Sequence, residues 1–162
     1  MSPARTQKNL TRRSLILLGA ASPVLAACAS ISPGPFGPVA LYPGETPQTR
    51  ALIVKYAAFH QIPESLLHRI IQRESGYNAR ARNGPYYGLM QILPQTAGTM
   101  GYSGPASGLL DAEVNLRYAG AYLRGAWLVS GGDESKAVMW YAKVYYYEAK
   151  RQGLLEETGL RS

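Results

Sequence analysis

The sequence predicts a fold that is mainly or wholly α-helical. Each periodic apolar stretch after residue 48 repeats at helical spacing, and most of these stretches begin and end with residues typical of helix termini. No two-residue hairpin turn appears between alternating strands. Residues 76–88 are predicted to form at most a short irregular ribbon. We therefore expect an all-α domain with short irregular connections.

Two helices are predicted at the start of this domain. Residues 48–61 repeat apolar side chains at helical spacing, and their shared face is formed by Leu52, Tyr56 and Phe59. Residues 63–75 follow, with Pro63 in the first turn, where its missing N–H is tolerated. The inward stripe of this second helix is formed by Leu67, Ile70 and Ile71.

Three more helices are predicted further along the chain. A short one is entered through Pro94, and a long one begins after Asp111, a good N-cap residue, and stops at Gly131-Gly132. The last is predicted to run as one helix from Asp133 to Gly153, because basic residues precede a terminal glycine.

Residues 1–27 are predicted to be a cleaved signal peptide. Four basic residues and no acidic residue precede the apolar run SLILLGAASPVLAA, which is too short for a membrane span of about 20 residues. The segment ends in LAAC, which resembles the lipobox of bacterial lipoproteins and makes Cys28, the single cysteine, the site of lipid attachment. The alternative is a plain secretory signal with an incidental Cys28. Either interpretation predicts export to the periplasm, and the first adds a membrane anchor.

Residues 28–47 are predicted to be the lipidated cysteine followed by a tether. Five prolines and three glycines in residues 29–47 cannot build a core, so the folded domain is expected over residues 48–162. Four of the 17 basic residues and none of the ten acidic ones precede Cys28, so cleavage lowers the net charge from +7 to +3. The lower charge removes the main argument for a nucleic-acid partner. A mildly positive protein is suited to bind an anionic wall polymer.

Glu74 stands out at the end of the second predicted helix. It lies seven residues after Leu67 and four after Ile70, so the helical period places it on the core-facing side. Burial and the dipole of a helix C-terminus both favour the neutral acid, which can protonate a leaving group. In the alternative, Glu74 bends outward at a ragged helix end and pairs with Arg73 or Arg69.

Residues 74–97 resemble the signature of family 1 lytic transglycosylases. The matching residues are Glu74-Ser75, Asn78, Ala81, Gly88-Leu89-Met90-Gln91-Ile92, Pro94, Thr96 and Ala97, with Asn115, Tyr122-Leu123 and Tyr141 downstream. The resemblance spans about residues 63–149. It implies a lysozyme-like, all-helical domain that acts on peptidoglycan, without a cofactor, and cleaves the bond between N-acetylmuramic acid (MurNAc) and N-acetylglucosamine (GlcNAc).

The resemblance also implies a mechanism with one carboxyl group. Glu74 would protonate the departing sugar oxygen and then take the proton of the muramic C6 hydroxyl, which closes a 1,6-anhydro ring. Tyr141 would hydrogen-bond the carboxylate of Glu74 and hold its orientation. Because Glu74 must act first as an acid and then as a base, it has to exchange its proton at a single pH.

Other side chains of the same stretch are candidates for substrate contact. Gln91 offers a donor and an acceptor to an acetamido group. Met90 is equally consistent with core packing, and Tyr86 and Tyr87 with either sugar stacking or packing. Ser75 lacks a histidine base and is expected to support the helix end.

The sequence departs from the family pattern at two positions. Ala142 follows Tyr141 where the family has asparagine, and the loop before Gly88 is about one residue short. Asn83 stands roughly where the family has a serine that helps to position the reacting groups. These departures bear on efficiency and substrate preference.

Two other functions stay open at this point. A lysozyme-type muramidase needs a second carboxylate, for which Glu148, seven residues after Tyr141, is a candidate; an exposed ion pair is its alternative role. A non-catalytic peptidoglycan-binding lipoprotein is the other possibility. His60 and His68 lack the spacing of a metal site, so no metal is expected. We expect a monomer whose partners are glycan strands and, through the lipid, a membrane.

Overall fold

The computed structural model describes residues 40–160 and confirms the all-α class. The helices are α1 (Pro47–His60), α2 (Glu64–Ser75), α3 (Pro94–Thr99), α4 (Ala112–Val129), α5 (Glu134–Lys143) and α6 (Tyr146–Gln152). A 3-10 helix, Ala106–Leu110, precedes α4, and two short strands, β1 (Arg82–Asn83) and β2 (Tyr86–Tyr87), lie between α2 and α3. The 3-10 helix was not predicted.

Helix α4 forms the centre of the domain. Its face toward α1 and α5 consists of small and medium apolar side chains that are fully buried: Leu116, Ala119, Leu123 and Ala126. Asp111 caps the helix as predicted, because its carboxylate accepts the N–H of Val114 at 2.9 Å. The helix ends before the predicted Gly131-Gly132 stop, where both glycines have positive φ.

Helix α1 forms as predicted, but its buried face is different. Phe59 is 64% exposed, and the buried side chains are Ile53, Tyr56, Ala57 and His60. The spacing of these residues defines a helical stripe that is rotated away from Phe59. His60 can belong to this buried face because its Nε2 lies 3.0 Å from the carbonyl oxygen of Leu116, which gives the polar ring a hydrogen-bond partner inside the core.

Helix α2 confirms the predicted inward stripe. Leu67, Ile70 and Ile71 are fully buried, and Leu66 joins them. The helix ends at Gly76, whose φ of 56° is the left-handed conformation typical of a C-cap. Glu74 therefore lies in the last turn of a helix that the core fixes in place.

Residues 82–87 form the short ribbon that the sequence allowed. Asn83 pairs with Tyr86 in an antiparallel ladder, so Gly84 and Pro85 form a two-residue turn. The two-residue turn within this ribbon was not predicted. Strands of two residues are too short to show an alternating pattern, which is why the sequence signal for a hairpin is missing here.

The predicted single helix from Asp133 to Gly153 is broken in two. Val144 has φ 62° and ψ 114°, which interrupts the helical hydrogen bonds and separates α5 from α6. The break accompanies complete burial of Tyr145, whose hydroxyl donates to the carbonyl of Tyr122 at 2.9 Å. Gly125 on α4 leaves the room that the Tyr145 ring occupies. Tertiary packing therefore overrides local helix propensity at this point.

The packed domain begins before the predicted residue 48. We call residues 40–46 the strap. Within it, Glu45 is buried, and its carboxylate accepts two hydrogen bonds from Arg50 of α1, at 2.7 and 2.6 Å. The ring of Tyr42 stacks on that of Tyr77 with centroids 5.8 Å apart. The predicted signal peptide, Cys28 and the start of the predicted tether lie outside the described residues. Within residues 40–160, no helix combines the length and the apolar character needed to span a bilayer.

Candidate active site

An open groove lies where the end of α2, the ribbon and the end of α5 meet. Its larger part, with a volume of about 330 Å³, is lined by Glu74, Arg73, Asn83, Tyr86, Gln91 and Tyr141. A smaller cavity of about 100 Å³ shares Tyr86, Gln91, Tyr141 and Ala142 with it and extends toward α3 and Val144. We call the larger part the groove and the smaller one its arm.

Glu74 combines features of both interpretations considered from the sequence. Its side chain lines the groove and is 23% exposed, so it is neither sealed in the core nor free in water. Oε1 accepts a hydrogen bond from Nε of Arg73 at 3.1 Å and lies 3.1 Å from Nη2 of the same guanidinium. Arg69, the other partner considered, contacts Glu134 instead. The carboxylate is thus placed beside the groove by the helical period and is held there by the neighbouring guanidinium.

Tyr141 lines the groove close to Glu74, but its hydroxyl has a different partner from the one the resemblance implies. It donates to the backbone carbonyl of Met90 at 2.8 Å, not to Glu74. Burial, followed by the nearby charge of Glu74, holds the pKa of Tyr141 well above its ordinary value. The phenol therefore stays protonated, and it links α5 to the backbone just before Gln91.

Met90 belongs to the core and not to the substrate surface. Its side chain is fully buried and does not line the groove or the arm. What it contributes to the site is backbone: its N–H donates to Oδ1 of Asn115 at 2.9 Å, and its carbonyl accepts the Tyr141 hydroxyl. Of the two readings considered for Met90, the packing one fits this structure.

Gln91, predicted to bind substrate, lines both the groove and the arm. Its φ of 47° is unusual for a residue other than glycine. The amide Nε2 donates to the carbonyls of Gly88 and Ala81, at 2.9 and 3.1 Å. These two bonds fix the side chain and leave its Oε1 as the atom that can accept a hydrogen bond from a ligand.

Asn115 is a buried residue whose role sequence reasoning missed. Its Nδ2 donates to the carbonyls of Tyr87 and Leu109, each at 2.9 Å, while Oδ1 accepts the N–H of Met90. All three bonds of this fully buried side chain go to backbone, and two of them hold the segment that leads into Gln91. A signal was present: Asn115 is a polar residue on the apolar face of α4.

The two neighbouring tyrosines point in different directions. Tyr86 lines the groove and its arm, whereas Tyr87 lines neither and packs against the core with the Arg82 guanidinium 4.9 Å from its ring centroid. Because successive side chains of a strand point to opposite faces, only one of the pair can face the groove. Asn83, the ladder partner of Tyr86, lines the groove. Tyr86 thus takes the position proposed for Tyr87.

Ser75 supports the end of α2, as expected. Its hydroxyl lies 2.7 Å from the carbonyl of Leu89 and 3.3 Å from that of Ile71, so it connects the helix to the segment that carries Gln91. Ser75 does not line the groove.

Glu148 is engaged away from the groove. The guanidinium of Arg151 and the side-chain amide of Gln152 donate to its carboxylate, and these contacts lower the pKa of Glu148 to about 2. Because the helix breaks at Val144, the spacing from Tyr141 no longer places the two residues on one face. Among the described residues that line the groove, Glu74 is the single carboxylate. In the same part of the chain, no three His, Cys, Asp or Glu side chains are grouped as metal ligands.

The family model described as the transglycosylase SLT domain matches residues 51–146. The matched range covers more than half of the chain and includes each residue that lines the groove.

Proposed function

Because the chain belongs to the transglycosylase SLT family, we propose that it is a lytic transglycosylase that cleaves the MurNAc-GlcNAc linkage of peptidoglycan and forms 1,6-anhydro-MurNAc. Family membership makes peptidoglycan the substrate class. The cleavage chemistry is supported by one observation above all. A single carboxylate, Glu74, borders an open groove that Tyr141 and Gln91 also line.

In the proposed reaction, Glu74 carries out both proton transfers. Its carboxyl proton passes to the glycosidic oxygen as the bond between that oxygen and the muramic C1 breaks. The carbonyl oxygen of the substrate's own acetamido group stabilises the positive charge at C1. The C6 hydroxyl oxygen then bonds to C1, and its proton returns to Glu74. No water is consumed, and the enzyme regains its starting protonation state.

The residues around Glu74 suit this sequence of steps. Arg73 donates a hydrogen bond to Oε1 of Glu74 and so can hold the carboxylate in place between the two transfers. The fixed Oε1 of Gln91 offers an acceptor to a sugar hydroxyl or an acetamido N–H. Asn83 and Tyr86 also line the groove, where they can contact a bound sugar.

A lysozyme-type hydrolase is less well supported. A hydrolase that follows the usual two-carboxylate scheme needs the second group within about 10 Å of the first, across the same sugar. Glu148, the candidate for that role, is held by Arg151 and Gln152 and is not part of the groove. A mechanism in which the substrate supplies its own nucleophile needs no such group.

Replacement of Glu74 by glutamine separates an enzyme from a glycan-binding protein. We expect Glu74→Gln to lower the rate of peptidoglycan solubilisation by at least about 100-fold, because an amide cannot donate and retake the proton. Binding to insoluble peptidoglycan should persist, since the groove keeps its shape. Glu148→Gln is the control and should retain normal turnover. Binding without turnover by the unaltered protein would instead identify a non-catalytic binder.

We further propose that the mature protein is exported to the periplasm and anchored by lipid on Cys28. The apolar run that ends in LAAC and the Pro- and Gly-rich segment after it support this proposal. A labelled fatty acid supplied to expressing cells should enter the wild-type protein and be absent from Cys28→Ser. Equal label in both proteins, or in neither, would contradict lipidation at this cysteine.

A further inference from the structure

Val144 has a backbone conformation that its side chain does not favour. Within residues 40–160, four residues other than glycine have positive φ: Gln61, Tyr77, Gln91 and Val144. Val144 is the β-branched member of this set, and its φ of 62° with ψ of 114° lies outside the regions that such residues readily adopt. Strain of this kind persists where the surrounding structure or the function requires it.

Hydrogen bonds, burial or a helix C-cap account for the other three residues, whereas the packing of Tyr145 accounts for the turn at residue 144 but not for a valine there. Tyr77 is buried with its hydroxyl 2.9 Å from Nδ1 of His68, Gln91 donates two hydrogen bonds, and Gln61 is an unbranched residue at the C-cap of α1. Val144 is 64% exposed, so its methyl groups add little to the core. The break between α5 and α6 requires a residue with positive φ, and glycine would serve there without strain, as it does at Gly76 and Gly153.

The exposed side chain of Val144 faces the arm of the groove. Its apolar neighbours in that cavity are Ile92, Leu93 and Tyr122, with Thr96 beside them. At about 100 Å³, the arm is well below the roughly 300–1,000 Å³ of a pocket that encloses a whole ligand. It can hold a substituent of a sugar whose ring lies in the groove.

We propose that Val144 is a specificity-determining residue, which forms one wall of an apolar arm that takes the methyl of an acyl or lactyl substituent on the glycan. The proposal rests on the proposed function for the identity of the ligand in the groove. On this account the strained backbone is retained because glycine would leave that wall open. Valine supplies two methyl groups where the chain must turn.

A binding comparison that does not depend on cleavage tests this proposal. In the Glu74→Gln background, calorimetry would compare N-acetylchitotetraose with the same oligomer carrying formyl groups, which lack the methyl. If the acetyl methyl occupies the arm, the protein with Val144 should bind the acetylated form about tenfold more tightly. Val144→Gly should lose most of this preference and bind the formyl oligomer as before.

A muramic-acid tetrasaccharide distinguishes the two sources of the methyl. If the acetyl methyl occupies the arm, Val144→Gly lowers the affinity for the acetylated chitotetraose and for the muramic oligomer by a similar factor. If the lactyl methyl occupies it, the loss is confined to the muramic oligomer. Either pattern supports the apolar arm. If Val144→Gly left the affinity for all three oligomers unchanged, or lowered all three affinities equally, the proposed role of Val144 would be overturned.

Thermal unfolding separates this role from a structural one. Val144→Gly should raise the Tm by about 2–5 °C because it removes backbone strain, even as it lowers methyl selectivity. Gln61→Gly is the matched control: it should raise the Tm without altering ligand preference, because Gln61 lies outside the groove. Failure of the wild-type protein to cleave peptidoglycan would count against the proposed function, whereas the binding and Tm results decide the role of Val144.

Discussion

Gly88 shows that a single residue can determine the backbone path that leads to Gln91. A side chain added at this position would overlap Nδ2 of Asn115 and the carbonyl oxygen of Leu109, and its φ of 77° is unfavourable for other residues. The same Asn115 amide holds the carbonyls of Tyr87 and Leu109. The absence of a side chain at residue 88 therefore allows a buried polar network to fix the groove wall.

We expect Gly88→Ala to destabilise the protein by about 3 kcal/mol or more. The added methyl must displace Asn115, which leaves buried backbone groups without partners, and it adds the cost of positive φ. Gly84→Ala is the control, because its φ is also positive but nothing lies within 4 Å of the added carbon. It should cost only about 1–2 kcal/mol. Denaturant unfolding measures both, and equal losses would contradict the proposed clash.

At the scale of elements, the strap connects the start of the domain to the end of α2. Gly44 approaches the backbone of Gly76, the C-cap residue two positions after Glu74, so closely that a side chain would not fit. Glu45 anchors this contact through Arg50 and through the N–H of Tyr42, which donates to its carboxylate at 2.9 Å. The strap thus helps to fix the helix end that presents Glu74.

The Glu45–Arg50 pair predicts a pH-dependent contribution to stability. Burial alone would raise the pKa of Glu45, but the hydrogen bonds from Arg50 and Tyr42 outweigh it and hold the pKa below its ordinary value of 4.5. A carboxyl with a lowered folded-state pKa stabilises the fold above its unfolded pKa. This contribution is lost as the pH falls through the folded pKa.

Glu45→Gln should therefore lower the free energy of unfolding by about 2–3 kcal/mol at pH 7, because it leaves Arg50 without its buried partner. The difference from the wild type should shrink as the pH falls below 4.5. Glu113→Gln is the control, since it removes an exposed ion pair with Lys55 and should change stability little. A constant difference between pH 7 and pH 3 would show that the charge of Glu45 is not the cause.

The sequence predicts the helices and their caps better than it predicts how tertiary packing changes them. Asp111 and Asp133 cap their helices as expected, because capping depends on neighbours within one turn. The break at Val144 was not predictable, since it depends on how Tyr145 packs against α4. In the site, the helical period indicated Glu74, whereas the choice of Tyr86 over Tyr87 depends on a ribbon too short to leave a pattern.

At the scale of the whole domain, the groove is formed by parts that are distant in sequence. Helix α2 brings Glu74, the ribbon brings Asn83 and Tyr86, and α5 brings Tyr141, while the backbone around Met90 joins these parts through Asn115 and Tyr141. Leu89 and Ile71, which are close in sequence to Gln91 and Glu74, are fully buried in the apolar core. A well-packed core of this kind suits the proposed site, in which a polymer is held against one carboxyl group.

Mass spectrometry of the products formed from purified peptidoglycan tests the central claim most directly. If Glu74 acts first as acid and then as base without water, the released fragments end in 1,6-anhydro-MurNAc and are lighter by one water than the hydrolysis products. Digestion in ¹⁸O-labelled water should then add no label. Reducing MurNAc ends that carry ¹⁸O would contradict the account and identify a hydrolase.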